Sequence, residues 1–287
     1  MGELEAMGHI VLSYVQVESL LQARRSGQDA AAASLDLGLT TSAVTIEAAG
    51  VCFPDGQSLT WEDVEAIADA QRSCFVVRDN DLYKIQVFSE ATDRLYSLMP
   101  TRRAPTMLIS GIPMHRIKGI DPHGDTLTKI KTIAPVVGRV LDTATGLGYT
   151  AIEAARTAGE VITVELDPAA LEVARLNPWS QALFENPKIT QIVGDSFEVI
   201  QQFADRMFRQ VIHDPPAFSL AGDLYSGEFY RQLFRVLRPR GRLFHYIGDL
   251  NSKSGHNVAR GAVRRLQEAG FYRVVRRPEA FGLVAYK

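Results

Sequence analysis

From Pro135 onward the sequence alternates short apolar β-type runs with helical ones, and the first four β-type runs each end within two residues of an acidic residue. The runs are Arg139 to Asp142, Val161 to Leu166, Ile189 to Val193 and the stretch ending at Asp214, then Arg242 to Ile247 and a closing pair at Phe271 to Arg276 and Phe281 to Tyr286. Helical patterns between them cover Thr150 to Ala158, Pro168 to Leu176, Phe197 to Phe203, Gly227 to Leu237 and Asn257 to Ala269. Parallel strands need crossover connections, so this order predicts a mostly parallel sheet with helices on both faces. Ligands of such a sheet bind beyond the carboxyl ends of its strands, which is where the acids fall.

Residues 1–99 have a different texture and read as a small α+β domain. Ala43 to Ala48, Ser73 to Arg78 and Leu82 to Phe88 are strand-like, Asp79-Asn80-Asp81 suits a hairpin turn, and Trp61 to Ala70 is a helix opened by Thr60. The alanine run Ala30 to Ala33 reads as helical. Residues 100–135 mix prolines and glycines with Arg102, Arg103, His115, Arg116, Lys118, Lys129 and Lys131. Such a segment is a basic linker or a cover folded over a site, with His115, Arg116 and Lys118 as candidate substrate contacts and the whole cationic stretch suited to phosphate. Residues 136–287 form the catalytic domain.

An apolar fraction of 46%, a charged fraction of 22% and a net charge of −2 fit an ordinary globular protein with no global attraction to polyanions. Two cysteines, Cys52 and Cys74, make neither a disulfide framework nor a metal site, and a reducing cytoplasm is the expected compartment. No apolar run approaches the length of a membrane span.

At the first strand end, Gly146 and Gly148 let the backbone approach a ligand, and the helix start after them offers free N–H groups. Gly146-x-Gly148-x-x-Ala151 by itself also fits a dinucleotide fingerprint. Asp142, four residues before the first glycine, repels a pyrophosphate and favours a cationic ligand such as S-adenosylmethionine, with its sulfonium and ammonium groups. Glu165 suits a ribose diol, and Asp167 before Pro168 reads as a helix-start acid. Asp195 is placed to accept from an adenine amino group or, with Ser196, to cap the next helix, and the two uses are compatible. In Asp214-Pro215-Pro216-Ala217-Phe218 a carboxylate and stiff carbonyls stand at the sheet rim, ready to accept hydrogen bonds from an amine. His213 faces the other side of its strand and reads as a packing residue; Tyr225 is a candidate for the substrate mouth.

Asp142-Thr143-Ala144-Thr145-Gly146-Leu147-Gly148, Glu165, Asp195, Asp214-Pro215-Pro216 and Leu237-Arg-Pro239-Arg-Gly241-Arg-Leu243 together resemble a class I S-adenosylmethionine-dependent methyltransferase. The resemblance covers residues 136–287 and implies an α/β fold: a Rossmann-like sheet of seven strands, the last antiparallel, beside the small N-terminal α+β domain. It implies S-adenosylmethionine as cofactor, with Asp142, Thr143, Gly146, Gly148, Tyr149, Glu165, Leu166, Asp195 and Ser196 around it, and catalysis at Asp214, Pro215, Pro216 and Phe218. More loosely, the whole architecture resembles archaeal methyltransferases of ribosomal RNA type. Amino-methyltransferases carry an aromatic directly after the second proline; here Ala217 intervenes, and Asp-Pro-Pro-x-Phe resembles ribosomal RNA enzymes acting on guanine or cytosine.

The expected activity is N-methylation of an exocyclic amine on an RNA base, with ribosomal RNA as partner and cytidine N4 ahead of adenine N6 and guanine N2. The alternative is methyl or aminopropyl transfer to a small-molecule or protein amine, which an acidic pocket also serves. A NAD-dependent oxidoreductase comes third. Cytosine C5 methylation needs a thiolate, and both cysteines lie far from the fourth strand.

Overall fold

The computed structural model describes residues 9–216 and 221–287. The chain divides into two compact units, one reaching to Pro122 and including Ala169–Gln181, the other comprising His123–Pro168 and Ala182–Lys287.

Among its described residues the first unit holds three small antiparallel sheets, the helices Tyr14–Arg25 and Trp61–Asp69, and nearly all of the helix Pro168–Arg175. Thr60 caps the second helix in a reciprocal box: its hydroxyl accepts from Asp63 N–H, and the Asp63 carboxylate accepts from Thr60 N–H, both at 3.2 Å. Asp79 and Asn80, at φ 54° and 67°, make the tight turn between Phe75–Arg78 and Asp81–Lys84. Two local expectations fail. Ala30–Ala33 is a strand paired with Ser42–Ile46, because four residues are too few to nucleate a helix and a β-strand lies ready to take their backbone hydrogen bonds. The single run from Leu82 to Phe88 is two strands, since at Ile85 the chain leaves one sheet (Asp81–Lys84) and enters another (Gln86–Ser89).

Within residues 100–135, Thr106–Ile109 and Ile112–Pro113 pair as strands, and Pro122–Ile133 is a helix of 12 residues lying almost wholly in the second unit. That unit then runs β1 (Arg139–Asp142), α1 (Tyr149–Ala155), β2 (Glu160–Glu165), β3 (Ile189–Val193), α2 (Ser196–Val199), β4 (Phe208–His213), α3 (Gly227–Val236), β5 (Leu237–Tyr246), α4 (Lys253–Glu268), β6 (Arg273–Arg277) and β7 (Gly282–Tyr286). The seven strands lie in the order β3-β2-β1-β4-β5-β7-β6. Strands β1 to β5 pair in parallel, and β7, last in sequence, runs antiparallel to both its neighbours.

α3 buries Phe229, Tyr230, Leu233 and Val236, a stripe at helical spacing, against a core that includes Val211, Leu243 and Leu283 of the sheet and Ala259, Ala262 and Leu266 of α4. Each such large side chain contributes roughly 1.5–3 kcal/mol by leaving water, which holds α3 and α4 against the strands they cover. The strand order reverses between β1 and β4, so the carboxyl ends of these two strands open the crevice of the sheet. Among the described residues no helix is long and apolar enough to cross a membrane.

Candidate active site

Asp142 closes β1, and its neighbour in the ladder on β4 is Ile212, two residues before Asp214. The side chain is fully enclosed. Oδ2 accepts from the hydroxyls of Thr150 at 3.0 Å and Thr163 at 3.2 Å, whereas Oδ1 is buried with no partner. Burial pushes this carboxyl up to about 7, with the charge of Asp214 adding to the rise and the hydrogen bonds from Thr150, Ala144 and Thr163 opposing it. A buried acid with an idle oxygen at the mouth of a glycine turn is a ready partner for a cation or a donor.

The turn itself is set by backbone conformation. Gly148 caps α1 at φ 76°, and a Cβ there would stand 2.7 Å from the Leu183 side chain, so glycine is required twice over. Gly146 N–H donates to Glu165 Oε2 at 2.8 Å, tying the turn to the end of β2. Glu165 also accepts from Asp167 N–H at 3.2 Å, and burial raises its carboxyl above the ordinary range against these backbone bonds. Ser196 donates to the Thr143 carbonyl at 2.6 Å, binding the end of β3 to the same turn. Asp195 is exposed and caps α2, accepting from Phe197 N–H at 2.8 Å. Tyr149 is buried at the start of α1. Leu166 and Val193, at neighbouring strand tips, stay bare at 57% and 54% exposure, an apolar pair suited to a flat ring. Val193 was not singled out in the sequence, although an apolar residue just before Gly194-Asp195 was the available signal.

Asp214 follows β4 directly and keeps 17% of its side chain exposed. Its Oδ2 accepts from Lys129 at 2.7 Å, and Lys129 in turn pairs with Asp125 at 2.9 Å. This corrects the expectation that Lys129 belongs to a cationic stretch for phosphate: it is 3% exposed and committed to two carboxylates. Burial alone pulls the ammonium down, but Asp214 and Asp125 overcome that and hold it above the ordinary lysine value. Lys129 was not legible as a site residue from spacing alone, because its partner Asp214 is 85 residues away, and Asp125 joins the site only through Lys129.

The segment after Asp214 is fastened at two points. Tyr225, expected at the substrate mouth, is buried, and its hydroxyl donates to the Pro216 carbonyl at 3.1 Å. His213 is enclosed beneath it. Its Nε2 lies 2.9 Å from the Leu224 carbonyl, which can only accept, so Nε2 carries the proton and Nδ1 accepts from Thr143 Oγ1 at 2.7 Å. Burial lowers His213 to about 3, so the ring is neutral and packs among Phe229, Tyr225 and His245. Pro215 and Pro216 are placed beside Asp214, while Phe218 lies outside the described residues. His115, Arg116 and Lys118 belong to the first unit, where His115 Nδ1 is 2.9 Å from the Thr106 hydroxyl.

No protein-family model matches the chain. It is 46% identical over 237 residues to the uncharacterized protein MJ1233 of Methanocaldococcus jannaschii, a match covering 82% of this chain and 80% of that one. Shorter matches reach polyamine aminopropyltransferase 2 of Streptomyces coelicolor, 32% identical over 123 residues (40% of this chain, 22% of that one), and the polyamine aminopropyltransferase of Sulfurisphaera tokodaii, 31% over 85 residues (28% of each). Among solved structures, spermidine synthase in complex with the transition-state analogue AdoDATO superposes with a TM-score of 0.58 at 17% identity, covering 72% of this chain and 76% of that one. Spermidine synthase from Thermotoga maritima gives 0.56 at 16% identity, covering 72% and 75%. These two similarities establish the fold.

Proposed function

The chain belongs to the family of Methanocaldococcus jannaschii MJ1233, and we propose that it transfers an alkyl group from the sulfonium of an S-adenosyl donor to an amine nitrogen. The observation that carries this reading is the pair of carboxylates at the crevice: Asp142, buried with an idle oxygen at the glycine turn, and Asp214, exposed enough to meet an acceptor one strand away.

The residues fit such a donor. Asp142 and the turn around Gly146 and Gly148 would hold its cationic end, Glu165 its ribose, and Leu166 and Val193 the faces of its adenine. When bound, the donor supplies an electrophilic carbon whose bond to sulfur breaks, with its electron pair staying on sulfur, as the bond to nitrogen forms. Asp214 accepts an N–H of the acceptor and so turns the nitrogen lone pair toward that carbon; orientation of this kind is worth up to roughly 7–11 kcal/mol in favourable systems. The same carboxylate, or water, takes the proton the nitrogen loses. Neutral His213, enclosed and with both ring nitrogens engaged, stays out of this proton traffic.

Aminopropyl transfer to a small amine is the reading of the acceptor with most support, because the local sequence matches are to polyamine aminopropyltransferases and the fold matches that of spermidine synthases. Methylation of an exocyclic amine on an RNA base is the second reading, favoured by one feature: Asp214 is already paired with Lys129, an arrangement suited to a neutral amine more than to an ammonium. Purified protein assayed with labelled S-adenosylmethionine and with its decarboxylated form, against polyamines, protein and total RNA, tests both. Label in polyamines from the decarboxylated donor is the expected result; label in RNA from S-adenosylmethionine moves the second reading to first; no label in any amine overturns the proposal.

A further inference from the structure

Lys129 sits on the helix Pro122–Ile133, outside every motif that marks the site in sequence, yet its ammonium is held between two acids. The arrangement is one-sided. Asp125, one turn earlier on the same helix, is 1% exposed and grips the ammonium from inside; Asp214 retains 17% exposure and is the partner that reaches the crevice. The ring of Tyr246 on β5 lies 4.6 Å from Nζ and closes the third side. A lysine fastened in this way has little freedom left, and what it presents to Asp214 is a fixed positive charge and a fixed N–H.

The groups facing Asp214 explain why such a fixture matters. From β1 comes Asp142, whose charge couples to that of Asp214; from the lysine's own helix comes Asp125; Tyr225 supplies a phenol from the segment before α3, and Tyr246 another from β5. Lys129 pairs with both Asp125 and Asp214 and so sets a positive charge against this collection. Like charges in one crevice oppose each other's ionisation, and a carboxylate that must accept an N–H has to be ionised.

We propose that Lys129 is the positioning residue of the acceptor end, fixing the Asp214 carboxylate through Oδ2 and supplying the counter-charge under which that carboxylate receives an amine. The inference rests on the reading of Asp214 as the amine-holding group.

The test compares the full-length protein with Lys129→Met and Lys129→Arg. The Met variant is expected to lose at least 100-fold in kcat, to keep its donor KM within threefold, and to show the acid limb of its pH–rate profile moved up by a pH unit or more. The Arg variant, which keeps the charge, is expected to return the limb to its original position. A merely structural lysine would change the yield of folded protein and leave the limb where it was. A second readout needs no activity: carbon-13 NMR of protein labelled at the aspartate side-chain carboxyls, with the Asp214 signal identified from Asp214→Asn. That signal is expected to move away from its native position in the Met variant and to return toward it in the Arg variant. If the native protein alkylates no amine, the functional reading falls and the NMR result alone decides the role of Lys129. A signal and a limb that do not move overturn the proposal. Where Lys129→Met does not fold, Lys129→Gln replaces it with the same expectations and the same overturning result.

Discussion

Asp142 and Asp214 mark the carboxyl ends of adjacent parallel strands, yet the fold treats them in opposite ways. Asp142 is fully enclosed, receives only neutral hydroxyl and amide donors, and has one oxygen without a partner. Asp214 is partly exposed and has a buried ammonium 2.7 Å away. The first carboxyl therefore rises to about 7, whereas the second has its counter-charge built in. Under the proposed function the difference separates two tasks, Asp142 serving the donor's cationic end and Asp214 the acceptor nitrogen.

The contrast breaks most sharply at Asp214. Asp214→Ala is expected to lower the rate of transfer by at least about 10³-fold, since positioning is lost altogether, while isothermal titration finds donor affinity within a few fold of the native value. Donor affinity tied to Asp214 as strongly as transfer would merge the two ends into one.

At the other end, Asp142→Asn is expected to weaken donor binding by about 10- to 100-fold at pH 8. In the native protein the donor should bind more tightly as pH rises through about 7, where Asp142 ionises, and the Asn variant should lose that dependence. The sign of the stability effect follows from the same shift. With a folded-state value of about 7 against 3.8 in the unfolded chain, the folded form keeps a proton that the unfolded form has already released between those limits. Stability of the ligand-free protein thus falls as pH rises across that window. Thermal melts should show Asp142→Asn above the native protein at pH 8, by on the order of 5 °C, and close to it at pH 4.

The smallest effect is expected at Tyr225→Phe. It removes one hydroxyl bond to the Pro216 carbonyl, worth about 1 kcal/mol, so kcat should fall by about three- to fivefold with donor affinity unchanged. A loss as large as that of Asp214→Ala would give the tyrosine a direct part in the chemistry.

Much of the surroundings of the glycine turn was legible from the residues alone. Asp142, Gly146, Gly148, Glu165 and Ser196 all fall at strand ends or turns that a regular β/α alternation exposes, and the structure gathers them around one turn. Capping chemistry was equally readable, as Thr60 with Asp63 and Asp195 with Phe197 show, because each involves residues two or three apart. Readings failed where the partner was distant. Ala30–Ala33 follows its neighbouring strand rather than its own helical propensity, and Lys129, which looked like one more surface cation, is claimed by a carboxylate 85 residues away.

By itself, then, the order of residues determined the alternating sheet, the glycine turn and the acids at the strand tips, since these depend on local periodicity and on side chains within a turn of each other. Only the tertiary structure decided which acid is balanced. A cation from a separate helix pairs with Asp214, while burial without such a partner raises Asp142, and both are properties of three-dimensional surroundings that spacing along the chain does not carry.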